Sequence, residues 1–184
     1  MRELIIILWL YLPTGIANMG PVIADNIPAL KKYTQPLDFN KTFRSKRIFG
    51  SHKTIRGIIA GTFFGFVVAG LQMLVSNYFS VFERYSYGVD YSSPKILLMG
   101  ACLGFGAMAG DAVKSFFKRQ ANVAPGRSWV PFDQLDFVLG GLVASLPFFT
   151  LPLSYYIFGL LLTLFLHPTM NIVAWLLRLQ DKPF

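Results

Sequence analysis

Apolar residues collect in five long stretches, residues 4–24, 57–79, 96–109, 137–153 and 155–177, with polar and mostly basic segments between them. A helix needs about 20 predominantly apolar residues to cross a hydrocarbon layer roughly 30 Å thick. The third and fourth stretches are short or rich in glycine, so their ends are less sharply marked than the others. The pattern predicts an all-α, polytopic membrane protein with about five transmembrane helices, forming a single domain over residues 1–184. A cleaved leader is the alternative for the first stretch. Against it, the one basic residue at the start, Arg2, is answered by Glu3, whereas a leader begins clearly positive.

Composition agrees with a membrane chain. Hydrophobic residues make up 54% and charged residues only 14%, where an ordinary soluble domain is about one-quarter charged. The charges are also one-sided. Lys31, Lys32, Lys41, Arg44, Lys46, Arg47, Lys53 and Arg56 lie between the first and second stretches, and Lys114, Lys118, Arg119 and Arg127 between the third and fourth. Arg178 and Lys182 follow the fifth, while the opposite side receives only Arg2, Arg84 and Lys95. The positive-inside rule therefore puts the N-terminus outside and both basic loops in the cytoplasm. The net charge of +8 is thus a cytoplasmic field tied to membrane ends. It comes with no nucleic-acid-binding signature, and nucleic acid is not an expected partner. The lone cysteine, Cys102, falls inside the third stretch and says nothing about compartment.

Glycine recurs every four residues at Gly57, Gly61 and Gly65, at Gly100 and Gly104, and at Gly106 and Gly110. That spacing puts each set on one helix face, where small residues let backbones approach closely in lipid. No set has the spacing of a phosphate-binding loop.

The acids are few, and their placement carries the chemistry. Asp111 sits at the cytoplasmic end of the third stretch, where an unpaired carboxylate is costly and a function is the default expectation. Lys114 and Lys118 follow at i+3 and i+7. Asp133 and Asp136 lie one turn apart at the entrance to the fourth stretch; two such carboxylates repel unless a cation or proton intervenes. A hard divalent ion with oxygen ligands is the natural cation. The plainer alternative is that Asp133 caps a helix and that lysines neutralise Asp111. Asn18, in an apolar run interrupted by Pro13 and Gly15, either satisfies backbone groups at a break or helps line a site. Neither histidine has a Cys or His partner at metal-ligand spacing.

The run Gly110-Asp111 through Lys114-Ser115 and Lys118-Arg119, followed by Pro131-Phe132-Asp133-Gln134-Leu135-Asp136-Phe137, resembles the CDP-archaeol synthase family, membrane cytidylyltransferases related to the bacterial phosphatidate cytidylyltransferases. The similarity extends to Ala17-Asn18-Met19-Gly20-Pro21, to Pro36-Leu37-Asp38-Phe39 and to the segment from Arg47 to Gly57. Against the bacterial signature, Ser115-Phe116-Phe117-Lys118-Arg119 is kept. Ala124-Pro125 replaces Lys-Asp, no His-Gly-Gly occurs, and Gln134 stands where Arg would.

The resemblance implies transfer of CMP from CTP to a lipid phosphate, giving a CDP-activated lipid and pyrophosphate, at a site facing the cytoplasm. Asp111, Asp133 and Asp136 would hold Mg²⁺, with these three and Lys118 as the catalytic set. Lys114, Ser115, Lys118 and Arg119 would meet the nucleotide phosphates; Lys53 and Arg56 are left for the lipid phosphate or the nucleotide, and Asn18 for the site lining. The partners implied are CTP, an isoprenoid-ether or acyl glycerol phosphate lipid and the membrane itself, with a homo-oligomer left open. Two other functions stay open on sequence: a phosphatidate cytidylyltransferase making CDP-diacylglycerol, and a small ion-coupled transporter.

Overall fold

The computed structural model describes residues 1–124 and 127–176 of the chain. Among them, six helices account for nearly all regular structure, joined by one two-residue-per-strand hairpin in the first basic loop. Helix α1 (Arg2–Ala17) and helix α2 (Gly20–Asn26) form one membrane crossing broken near Asn18, whose N–H still donates to the Thr14 carbonyl at 3.2 Å. The break precedes Pro21, whose ring would clash with the carbonyl four residues back if the helix ran on. Helix α3 (Ile55–Tyr78) starts at Thr54, whose hydroxyl accepts the Gly57 N–H at 3.1 Å. A 3-10 turn (Ser80–Tyr85) leads to helix α4 (Lys95–Gln120), and helices α5 (Phe132–Ser145) and α6 (Leu153–Leu176) follow.

Three of these units are long and apolar enough to cross a membrane: α1 with α2, α3, and α4. The described part of α6 adds a shorter apolar helix, Leu153–Leu166. Two helices differ from the apolar pattern, at three boundaries. Helix α4 runs 11 residues past Ala109, because nothing between Gly110 and Gln120 breaks a helix and the charges there find partners. Helix α5 begins before the apolar stretch, taking Asp133 and Asp136 into its first turns, and stops at Ser145 rather than 153. Pro147 and Pro152 cannot continue it. With 14 residues it is roughly 21 Å long, too short to cross the hydrocarbon layer alone. The last residue of the fifth apolar stretch, with Arg178 and Lys182, lies outside the described residues.

Helix α3 turns Ile59, Phe63 and Leu71 outward, more than half exposed, as suits a helix that is apolar all round and faces lipid. Its glycine face packs on α4: a Cβ at Gly65 would run into the Gly100 carbonyl, and one at Gly104 into the Gly61 carbonyl. A second glycine contact joins α4 to α5, where Gly106 and Gly110 meet Gly140 and the Asp136 carbonyl with no room for a methyl group. The glycine spacing announced the first contact and gave no partner for the second. Backbone against backbone, Gly110 sets the start of α5 beside the polar end of α4.

Candidate active site

Close packing at Gly110 brings the two acidic segments together around one side chain. The Lys114 ammonium donates to Asp133 at 2.7 Å and Asp136 at 2.8 Å, and pairs with Asp111 at 3.2 Å. Lys118 donates to both oxygens of Asp133, at 2.9 and 3.1 Å, and Lys53 reaches across from the first basic loop to Asp111. Three carboxylates and three ammonium groups thus share one partly sheltered cluster. Asp136 and Lys118 are the most covered, at 7% and 8% exposure. A buried charge persists only when paired and hydrogen-bonded, and here each has an opposite partner.

Two cavities meet at this cluster. An apolar groove of about 1260 Å³ runs between α4 and α5, lined by Cys102, Phe105, Leu139, Val143 and Phe148 along its length and by Asp136 and Lys114 at its polar end. A smaller cavity of about 280 Å³ lies under the segment Phe49, Gly50, Ser51, His52 and Lys53, with Lys114, Ser115, Lys118 and Arg119 as its opposite wall. Lys114 lines both. Lys53, Lys114, Lys118 and Arg119 all line the second cavity, which suits anions, and the fork of Arg119 suits a bidentate phosphate contact.

The loop over the small cavity is built on a carboxylate. Asp38, 4% exposed, accepts from Arg47 at 2.6 and 3.1 Å and from the backbone N–H groups of Asn40, Phe49 and Gly50, each at 3.1 Å. Burial would raise its carboxyl, but the Arg47 guanidinium and the three N–H groups outweigh that and hold it down at about 2. Strands β1 (Thr42–Phe43) and β2 (Lys46–Arg47) close through Arg44 and Ser45, both with positive φ, as a two-residue hairpin turn requires. The hairpin rests on α4 through Phe43 against Phe116 and through Lys46, whose ammonium donates to the Gln120 carbonyl at 2.7 Å. Asp38 is the residue whose role the sequence pattern hid. The available signals were its being the single acid between Asn26 and Arg56, among seven cations, and its place in the run Pro36-Leu37-Asp38-Phe39.

Asp111, Lys114, Ser115, Lys118, Arg119, Asp133, Asp136 and Lys53 are all brought to this region. Arg56 is not. Its guanidinium donates to the Leu30 carbonyl at 2.7 Å and pairs with Asp25, beside a separate apolar pocket of about 430 Å³ containing Ile59 and Phe63. Asn18 sits at the α1–α2 break, not in the lining of these cavities. For a divalent metal the donors are of the right kind, hard carboxylate oxygens. As placed, however, no three acids among the described residues stand together closely enough to hold a metal unaided. Magnesium is commonly held by one or two carboxylates with substrate phosphates completing the shell, and this donor set fits that mode.

The model of the family described as CarS-like, CDP-archaeol synthase, matches residues 1–184. The chain is 34% identical over 171 residues to the CDP-archaeol synthase of Methanospirillum hungatei, covering 88% of this chain and 97% of that protein. It is 33% identical over 183 residues to that of Methanocaldococcus jannaschii, covering 98% and 97%. Among solved structures, an intramembrane enzyme for archaeal membrane lipid biosynthesis superposes with a TM-score of 0.71 at 29% identity, over 90% of this chain and 92% of that one.

Proposed function

This chain belongs to the CDP-archaeol synthase family, and from that premise we propose that it transfers CMP from CTP to 2,3-di-O-geranylgeranylglyceryl 1-phosphate, releasing pyrophosphate and leaving CDP-archaeol in the membrane. Family membership makes it an enzyme of membrane lipid synthesis and removes the transporter alternative. The observation that carries the mechanistic reading is the position of Lys114, shared by an apolar groove and a cation-lined pocket. A lipid phosphate whose tails lie along the groove and a nucleotide whose phosphates lie in the pocket would meet at its ammonium.

In the reaction, an oxygen of the lipid phosphate attacks the α-phosphorus of CTP, a new P–O bond forms, and the bond to the β-phosphate breaks as pyrophosphate leaves. The nucleophile is already ionised at neutral pH, so no general base is needed. Held in place, the two phosphates react as one assembled pair, which removes much of the entropic part of the barrier. Lys114 screens the repulsion between two anions. Lys53, Lys118 and Arg119 face the pocket from both walls and stabilise charge that grows on the leaving pyrophosphate. Magnesium, held by one or two of the carboxylates Asp111, Asp133 and Asp136 with phosphate oxygens completing its shell, would supply Lewis-acid neutralisation of the same charge. The positive-inside bias of the basic loops supports a pocket on the cytoplasmic side, where the nucleotide is.

The test is product analysis: purified protein with CTP, Mg²⁺ and either an isoprenoid-ether or a diacyl glycerol phosphate. The ether lipid should yield a CDP-lipid at the higher kcat/KM. Equal use of the diacyl lipid would move the assignment to a general lipid-phosphate cytidylyltransferase, and no CDP-lipid from either would refute it.

A further inference from the structure

One buried acid, Asp38, lies outside the lysine–aspartate cluster, yet the geometry ties it to the small cavity at both ends of the covering loop. Its carboxylate takes the Phe49 and Gly50 N–H groups, and the N–H of its neighbour Leu37 donates to the Lys53 carbonyl at 2.7 Å. Between these grips lie Ser51 and His52, and the loop closes on itself through the Lys53 N–H and the Gly50 carbonyl at 3.4 Å. Gly50 takes φ +94°, a left-handed conformation that a side chain resists. The loop is thus bent into one shape by a fixed anion beneath it.

We propose that Asp38 is a positioning residue for the nucleotide: by anchoring the Phe49 and Gly50 amides it holds the loop that presents Lys53 and forms one wall of the phosphate pocket. Asp38 does not touch the substrate. Its contribution is preorganisation, since a loop already in its binding shape loses less entropy when the anion arrives. Arg47 balances the buried charge, so that the carboxylate is kept ionised without being drawn into the catalytic cluster. The apolar groove shares no residue with the loop, so lipid binding should feel the clamp far less than nucleotide binding. This inference rests on the reading of the small cavity as the CTP site.

Two variants of the full chain, Asp38→Asn and Gly50→Ala, loosen the same loop from different sides, the first by weakening the anchor and the second by opposing the positive φ. Each should raise KM for CTP about tenfold, the scale of one lost charge-assisted hydrogen bond, with KM for the lipid phosphate moving less than twofold. Amide hydrogen exchange should quicken over residues 49–53 while the helices keep their protection. An unchanged KM for CTP with a loosened loop would overturn the proposal, as would equal rises for both substrates or unaltered exchange at 49–53. If the unmodified protein shows no CTP-dependent turnover, the functional reading fails by itself. Nucleotide titration of the exchange at 49–53 would then overturn the positioning role if CTP gave no protection there, or uphold it if CTP protected the loop only while Asp38 was intact.

Discussion

Asp111, Asp133 and Asp136 have different neighbours, and the differences set what neutralising each should do. Asp136 faces Lys114 and is nearly covered, Asp111 is shared between Lys53 and Lys114, and Asp133 also holds Lys118 and the Trp129 N–H. Replacing each by Asn removes a negative charge from the place where phosphates and metal must be organised. Turnover measured as CDP-lipid formed per minute should fall by about a hundredfold or more in each case, the scale of losing an electrostatic catalytic group. Near-normal rates in all three variants would reduce the acids to caps and ion-pair partners. The sequence marked these acids through their cost in a membrane, but it could not show that all three meet on Lys114, because that meeting depends on packing between helices. For Asp38, outside the membrane, pH gives a separate check. Its pKa is lowered in the fold, so its stabilisation is complete above the ordinary carboxylate value near 4 and is lost as pH falls through about 2. Wild type should therefore be more stable than Asp38→Ala at pH 6, by about 2 kcal/mol, and the gap in thermal midpoint should close between pH 4 and pH 2. A gap that stayed constant over that range would show that the carboxylate charge is not what stabilises the loop.

At the scale of elements, the site depends on how closely α4 and α5 approach. A methyl group at Gly110 or Gly140 would fall under 3.0 Å from backbone of the facing helix, so Gly110→Ala or Gly140→Ala must push the helices apart and carry Asp136 away from Lys114. Overpacking of this kind costs about 1–3 kcal/mol. The prediction is a lowered thermal midpoint together with at least a tenfold loss of turnover, checked against Gly15→Ala, where nothing lies within 4 Å and both readouts should hold. If Gly110→Ala kept full activity, the two acidic segments would not need this contact. The four-residue glycine spacing made the α3–α4 face legible in the sequence. The α4–α5 contact was not, since Gly140 stands with Gly141 and no periodic partner. Helix limits depart from the apolar pattern for two reasons: hydropathy marks where lipid contact ends, not where hydrogen bonding ends, so α4 outruns its apolar stretch and α5 starts before its own, while Pro147 and Pro152 stop α5 inside a stretch that stays apolar.

For the molecule as a whole, catalysis from CTP requires that both basic segments lie on one side of the membrane with the nucleotide. A reporter after Lys182 and a cysteine-labelling site in the loop containing Lys41 should read cytoplasmic, and a reporter at the N-terminus external. External labelling of the Lys41 loop would put the phosphate pocket on the wrong side for CTP. The most direct measurement follows the label itself. Purified protein is supplied with Mg²⁺, the ether lipid phosphate and CTP carrying radiophosphorus at either the α or the γ position. The α-label should enter the lipid, the γ-label should appear only in pyrophosphate, and Lys114→Met should suppress both together. Entry of γ-label into the lipid, or of no label into lipid at all, would contradict CMP transfer to the lipid phosphate.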